Sequence, residues 1–438
     1  MSEIVYRIGT LIAQVLCGVP IGTNLGLFHL FFALLSGRFL SARGAVFSAL
    51  ADLGLPNDAV RRAGAALCYG RFCPQTLLEN WQRLVEQEGC FYAHCYEGYC
   101  PVACELTGFF RTRLVGLSTK HYTSQAGKAL PALVFGLVAS VGSVGKKRLA
   151  LPRLLVRAEA HESDAQLQKR LLHQAQPTLL EKEVLLIDAG FPLKELLSCT
   201  KLLFVARVRK NFTARRNQLP VYQGVGRAPV YGEKVRPLSR ERAGKKTKAT
   251  KPDALARWKD GKHTLRAYWF ENLVESDQEP GATTFGCAVI FDPRYKEPLV
   301  LVTNLPVSAY ALWRLYRDRW PMEPLPWAAK QMLGWERAYV FAEQSRHRLP
   351  ELALLAGNLL AYVAATSQPV ATGFWDRCAR PPCGRLRRVL SRLHFSELPL
   401  PEGQLRKKQS VFAPLPKGVK AHRRQKAEVE LPKWRLEA

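Results

Sequence analysis

Four residues between positions 316 and 330 carry the functional groups that first suggest chemistry. Tyr316, Arg319, Glu323 and Lys330 follow one another at steps of three, four and seven. At helical periodicity those steps gather all four on one face. A carboxylate flanked by two cations and a phenol suits a site that binds a metal ion and adjacent phosphates. The competing explanation is a solvated face laced with salt bridges. A second acid, Asp188, ends the apolar run 184–187 and precedes Ala189 and Gly190. An acid at the carboxyl end of a strand stands where open α/β sheets build their sites. Its ordinary alternative is a turn aspartate that caps the next helix.

Other clusters compete with this one. Residues 90–104 hold Cys90, His94, Cys95, Cys100 and Cys104. Structural zinc sites pair ligands two to four residues apart and then separate the pairs. Here the cysteines are separated by gaps of four, four and three residues, with no knuckle, and Cys104 falls in an apolar run where a buried thiol is ordinary. Arg111, Lys120, His121 and Tyr122 make either a DNA contact or a plain polar connection. Trp320, Trp327 and Trp335 fit a core stripe or stacking platforms for an unpaired base.

The elements that must position these groups change along the chain. Residues 1–88 read as helical. Between Arg7 and Arg38 there is no Lys, Arg, Asp or Glu. A membrane helix needs an unbroken apolar run of about twenty residues. Gly18, Pro20, Gly22, Thr23 and Asn24 interrupt this one, so two buried helices around a turn are expected. No small-residue cleavage site follows, so no secretory leader is expected. Stretches 57–67 and 74–85 are amphipathic and joined by CYGRFC. They outline either a DNA-binding helix-turn-helix or ordinary helix packing.

Runs 101–106, 132–141 and 148–156 read as strands. A helix is expected over 165–180, with Leu167, Leu171, Leu172 and Ala175 on one face. Strand 184–187, a short helix 193–199 and strand 202–206 follow. This order indicates an α/β layer with a mixed sheet. Residues 207–305 break the alternation. Within them 236–251 are basic without apolar period and read as an exposed loop, and 264–270, 284–291 and 299–303 read as strands. Helix resumes at Ser308, and 350–365 is a strongly apolar helix. The last forty residues, with Lys407, Lys408, Arg423, Arg424 and Lys426, read as a basic, partly disordered tail.

Bulk properties narrow the partners. Lys and Arg total 64 against 36 Asp and Glu, a net charge of +28. Such an excess draws polyanions and speeds association with them, so nucleic acid is the first partner expected and an anionic membrane the second. Eleven scattered cysteines in 438 residues read as reduced thiols, not a disulfide framework.

Taken together, the spaced Tyr316, Arg319, Glu323 and Lys330 resemble the Y-R-E-K signature of insertion-sequence DDE transposases of the IS-four type. LIDAGF at 186–191 resembles the setting of that family's second catalytic acid. ELTGFFR at 105–111, at the end of the first core strand, resembles the segment that holds the first. The resemblance covers roughly residues 100–365. It implies an α/β fold with a ribonuclease-H-like mixed-sheet catalytic domain over 96–366, interrupted by a β-rich insertion at about 208–305. An all-helical N-terminal domain (1–95, a candidate DNA binder) would precede it and a basic tail (367–438) would follow.

Glu105, Asp188 and Glu323 would be catalytic and ligate two Mg2+ (or Mn2+) ions per active site; Tyr316, Arg319 and Lys330 would bind DNA. Thr107 would support the metal shell or simply fill a strand position. The implied activity is cut-and-paste transposition: cleavage at transposon ends and strand transfer to target DNA. The implied partner is double-stranded DNA, held by a homodimer and not by a membrane protein, in a bacterial cytoplasm and associated with the nucleoid.

Two departures stand out. Glu105 occupies a place where the family has Asp, and Pro324 follows Glu323 directly. A residue before proline is pushed from helical dihedrals, although proline suits a helix's first turn. A disabled transposase relic that only binds DNA is therefore the alternative.

Overall fold

The computed structural model describes residues 2–111, 117, 119–199, 201–224, 226–242, 244–334, 342–368, 383–395 and 405–406. Trp335 and the tail cations Lys407, Lys408, Arg423, Arg424 and Lys426 lie outside the described residues.

The charge-free stretch forms two helices, α1 (Ser2–Val15) and α2 (Thr23–Leu35). Gly18 and Gly22 turn the chain between them at φ 80° and 87°, a region that glycine enters without steric cost. Nearly all of α2 is buried. It is the inner helix of a layer completed by α3 (Arg38–Ser41), α4 (Val46–Asp52), α5 (Asn57–Tyr69) and α6 (Pro74–Glu88). Gly26 lets α2 meet α5 closely: a Cβ there would stand 2.6 Å from the Ala66 Cβ.

The central sheet begins with β1 (Phe91–Ala93), β2 (Cys100–Phe110), β3 (Lys120–Thr123), β4 (Lys128–Val144) and β5 (Lys147–Arg157). A crossover through α7 (Asp164–Ala175) leads to β6 (Glu183–Ile187), and α8 (Leu193–Ser198) leads to β7 (Phe204–Arg207). Ser163 caps α7 in a reciprocal box with Gln166, which satisfies orphan N–H groups at the helix start. Across the sheet the order is β5, β4, β2, β6, β7. The first three are antiparallel and the last three parallel. That mixed order agrees with a ribonuclease-H-like core.

Alternate residues of each strand face opposite layers. Val102 and Cys104 pack with α7, whereas Ala103 and Phe109 pack with the N-terminal helices. On β6, Leu185 and Ile187 face α7, while Val184 and Leu186 face the helix that follows the insertion.

The insertion contains β8 (Ala214–Arg216), β9 (Lys234–Val235), β10 (Arg240–Arg242), β11 (Lys245–Thr247), β12 (Ala254–Asp260), β13 (His263–Glu275), β14 (Phe285–Phe291) and β15 (Leu299–Thr303). It extends the core sheet, because β15 pairs with β7 and β14 with β15. The basic stretch expected as a loop contains the β10–β11 hairpin. Its backbone pairing is independent of any apolar period, so the side-chain pattern gave no sign of it.

After the insertion come α9 (Ala309–Arg317), α10 (Pro324–Trp327), α11 (Glu343–Thr366) and α12 (Cys383–Leu390). Helix α11 is long and apolar enough to cross a membrane by length and composition, yet 83% of its apolar window is buried inside the protein. It shares one core with α1, α2, α5 and α6 and with one face of β2 and β4. Its Asn358 accepts from Trp81 Nε1 at 2.7 Å and donates to the Ala150 carbonyl at 2.6 Å, which ties α6 and β5 together through α11. Helix α12 falls in the segment expected as tail. Leu386, Val389 and Leu390 bury one of its faces.

Candidate active site

The parallel register of β2 and β6 ends at Cys104↔Ile187. Glu105 and Asp188 are the next residues on each strand, on the face away from α7. Glu105 is not at the end of its strand, as expected, but in its middle: β2 runs five residues further, paired with β4. Loss of the β6 neighbour, which stops at Ile187, opens β2 at that point.

Helix α9 brings the other groups. The Ser308 Oγ accepts from Ala311 N at 3.1 Å and starts the helix. Its apolar face buries Leu312, Leu315 and Tyr316 against β6, β7, β14 and β15. The Tyr316 hydroxyl donates to Asp188 Oδ1 at 3.1 Å. Burial and then the Asp188 charge push this phenol up to about 12.

The four spaced residues do not share one continuous helix. Helix α9 stops at Arg317, a 3-10 turn covers Trp320–Met322, α10 runs from Pro324 to Trp327, and a π-helical turn covers Ala328–Met332. Pro321, Pro324 and Pro326 lack the N–H groups that a continuous helix would need. Glu323 keeps helical dihedrals (φ −61°, ψ −40°) even before Pro324, because the proline occupies the first turn of a new helix.

The break folds the segment back over the two strand acids. Arg319, only 6% exposed, stands at the centre. Its Nη1 lies 3.5 Å from Glu105 Oε2, and its Nη2 lies 3.5 Å from Asp188 Oδ2 and 3.0 Å from Glu323 Oε1. Burial pushes the Glu105 carboxyl up to about 7, opposed by Arg319 and reinforced by Glu323 and Asp188. The Lys330 ammonium lies 5.1 Å from the centre of the Phe109 ring on β2 and also favours the Glu105 carboxylate. All six expected residues are thus gathered in one region. Beside them opens a cavity of about 640 Å³ whose lining includes Arg207, Arg294, Arg317 and Lys296.

The donor set fits a divalent cation by its chemistry: three carboxylates, hard oxygen donors of the kind magnesium prefers, already converge on one positive centre. That centre is a guanidinium. Among the described residues, no three or more His, Cys, Asp or Glu side chains are grouped so as to hold a metal ion.

Asp318 was missed in the sequence. It is completely buried. Its Oδ2 lies 2.6 Å from His94 Nδ1 and accepts from the Tyr96 hydroxyl at 2.7 Å, and its Oδ1 lies 3.2 Å from Arg148. It ends α9 immediately before Arg319 and so fixes where that guanidinium enters. His94 is engaged at both nitrogens, since Nε2 lies 2.6 Å from Ser143 Oγ. Cys104 is buried in β2.

The remaining candidates divide. Thr107 is buried in β2 opposite Phe135. His121 Nδ1 lies 3.0 Å from Asp164 at the start of α7, and Arg111 donates to the Phe110 carbonyl. Trp320 and Trp327 are more than half exposed, which removes the core-stripe explanation for both. Their segment is the irregular one, so heptad-like spacing there does not mark one buried face.

A family model described as a transposase DDE domain matches residues 142–359. The match contains Asp188, Tyr316, Arg319, Glu323 and Lys330 and begins after Glu105. No curated protein matches the chain.

Proposed function

This chain belongs to the family of transposases with a DDE domain, and from that premise we propose that it cuts DNA at transposon ends and joins the freed ends to a target. The observation that carries this reading is the convergence of Glu105, Asp188 and Glu323 around Arg319, with Tyr316 bonded to Asp188.

Glu105, Asp188 and Glu323 would hold magnesium or manganese ions, whose chemistry is to activate a water or 3′ hydroxyl and to stabilise the leaving oxygen of an in-line displacement. The protein's own groups do the positioning. Tyr316 holds one oxygen of Asp188 and so orients that carboxylate. Arg319 offers a planar fork suited to two phosphate oxygens, and Lys330 a point charge. Trp320, exposed next to the cavity, offers a stacking face for a base freed at the cut. Arg207, Lys296 and Arg317 line the cleft and would meet a phosphate backbone, although Asp292 and Glu297 line it too. Double-stranded DNA is the substrate on this reading, two copies of the chain pair two ends, and the reaction takes place in the bacterial cytoplasm.

One observation favours a second reading, a relic that binds DNA without cutting it. Glu105 is a methylene longer than Asp, so its carboxylate stands further from the strand than an Asp at that position would. A misplacement of one ångström costs about a hundredfold in rate.

The test is divalent-metal-dependent nicking of a duplex that carries the flanking terminal repeats. The natural chain is compared with Glu105→Asp and Asp188→Ala. Nicking by the natural chain that Asp188→Ala abolishes supports the three-acid site. Nicking by Glu105→Asp alone identifies a disabled enzyme. End binding without cleavage by any of the three rejects the catalytic reading in favour of the relic.

A further inference from the structure

Between β1 and β2 the chain leaves the sheet and returns. Strand β1 pairs with β4 through Ala93↔Gly142, and β2 pairs with the same strand from Val102↔Ser140. Both run antiparallel to β4, on the side opposite β5. Residues 94–101 are therefore an excursion from an otherwise continuous edge, a short flap.

The flap is a tight hairpin. Glu97 and Gly98 at its tip both have positive φ, 51° and 86°, as the two central residues of a type I′ turn require. Tyr96 and Tyr99 exchange both backbone hydrogen bonds, at 2.9 and 3.0 Å. The next pair down is Cys95 and Cys100. The Cys100 N–H points away from Cys95, to the Lys182 carbonyl at 2.9 Å, so this is a non-hydrogen-bonded pair. Such pairs set their Cα atoms about 4.5 Å apart with side chains close together, inside the roughly 4.4–6.8 Å range of disulfides. Both thiols are free; Cys95 is exposed and Cys100 half-buried. Burial and, after it, the facing Cys95 thiol push Cys100 up to about 11.

The flap also holds both ends of α9. At the N-terminal end the Glu97 carboxylate accepts from Ser308 N at 3.0 Å and from the Ser308 hydroxyl. At the C-terminal end His94 and Tyr96 bind Asp318. Midway, the Arg314 guanidinium stacks 4.7 Å over the Tyr96 ring.

We propose that Cys95 and Cys100 are a redox pair that closes reversibly into a cross-strand disulfide and so staples the flap that clamps α9. The oxidant is a small-molecule disulfide of the glutathione class. The Cys95 thiolate, the more accessible, attacks one sulfur of that disulfide; a mixed disulfide forms and one small thiolate leaves. The Cys100 thiolate then attacks the Cys95 sulfur, and the second small thiolate leaves. Two protein thiols lose two electrons and two protons, and one small disulfide becomes two small thiols. A dithiol reductant reverses both steps. This inference does not rest on the transposition reading.

The experiment uses the full chain treated with oxidised glutathione, quenched with an alkylating agent and cleaved after glutamate. Cleavage after Glu88, Glu97 and Glu105 separates Cys95 (in 89–97) from Cys100 (in 98–105). The expected result is that these fragments stay joined, with fragmentation placing the bond at Cys95 and Cys100, and that dithiothreitol releases them. A glutathione adduct on Cys95 with no joined fragments overturns the proposal. So does a bond through Cys90 or Cys104. Amide exchange over α9 is measured alongside: slowing by at least severalfold in the oxidised chain, absent in Cys95→Ser, is expected. Equal exchange in both redox states overturns the clamp.

Discussion

At the scale of single residues, the site depends on a carboxylate that performs no chemistry. Asp318 is fully buried and paired with Arg148, His94 and Tyr96. Removing Asp318 strips His94, Tyr96 and Arg148 of their shared acceptor, and because Arg148 still reaches solvent the cost is about 1–3 kcal/mol. Asp318→Ala is expected to lose that much in urea denaturation, and its folded fraction to nick more slowly because Arg319 is no longer fixed. A loss below about 1 kcal/mol, the range of exposed pairs, would reject the role. His347 gives a second residue-scale prediction. Burial, then Arg157 and Arg346, push its imidazole from 6.5 down to about 4. The unfolded chain therefore binds more protons, and stability rises with pH. The contribution is complete above 6.5 and is lost as pH falls towards 4. Urea midpoints taken between those pH values are expected to fall more steeply for the natural chain than for His347→Gln. Parallel slopes would show that His347 is not responsible.

Residue identity carried part of this site but not all. Tyr316, Arg319, Glu323 and Lys330 were legible because their spacing resembles a family signature, and the structure gathers them in one region. Asp318 stands inside the same run and was not, because nothing in a charged stretch tells which charge turns inward. Its partners His94 and Tyr96 lie 224 and 222 residues away.

At the scale of elements, apolar runs were reliable. Strands β2, β4, β5 and β6 each contain a run expected from the sequence, since burial on both faces demands continuous Val and Leu, while β7 begins two residues into the run expected at 202–206. The β10–β11 hairpin was missed because backbone pairing in a basic stretch leaves no apolar period to read. The broken segment after α9 was only half legible: its prolines announced the break, but not that it would fold Glu323 back towards β2 and β6. The close approach of α2 and α5 at Gly26 offers a sharp test. Gly26→Ala sets a Cβ 2.6 Å from that of Ala66 and 2.9 Å from the Arg62 carbonyl. Overpacking of this kind costs about 1–3 kcal/mol. Gly384→Ala in α12, which meets nothing within 4 Å, is expected to be neutral or stabilising by up to about 1 kcal/mol. Equal thermal midpoints for the two variants would mean that α2 and α5 can separate freely.

At the scale of the whole molecule, the net charge of +28 sets how the chain finds DNA. Each phosphate neutralised releases counterions, so affinity falls steeply with salt. Lys330→Ala is expected to weaken end binding and to reduce the log–log salt slope by about one. An unchanged slope would remove Lys330 from the DNA contacts.

The core shared by the first helices and α11 also orders events in time. Arg7 donates to Thr366, and Tyr362 to Glu88, so α1 and α6 are completed by a helix made more than 250 residues later. A growing chain can pair α2 with α5 and α1 with α6, but the part of their apolar surface that meets α11 stays open until α11 is made. Apolar surface left open in this way is what makes incomplete chains prone to aggregate.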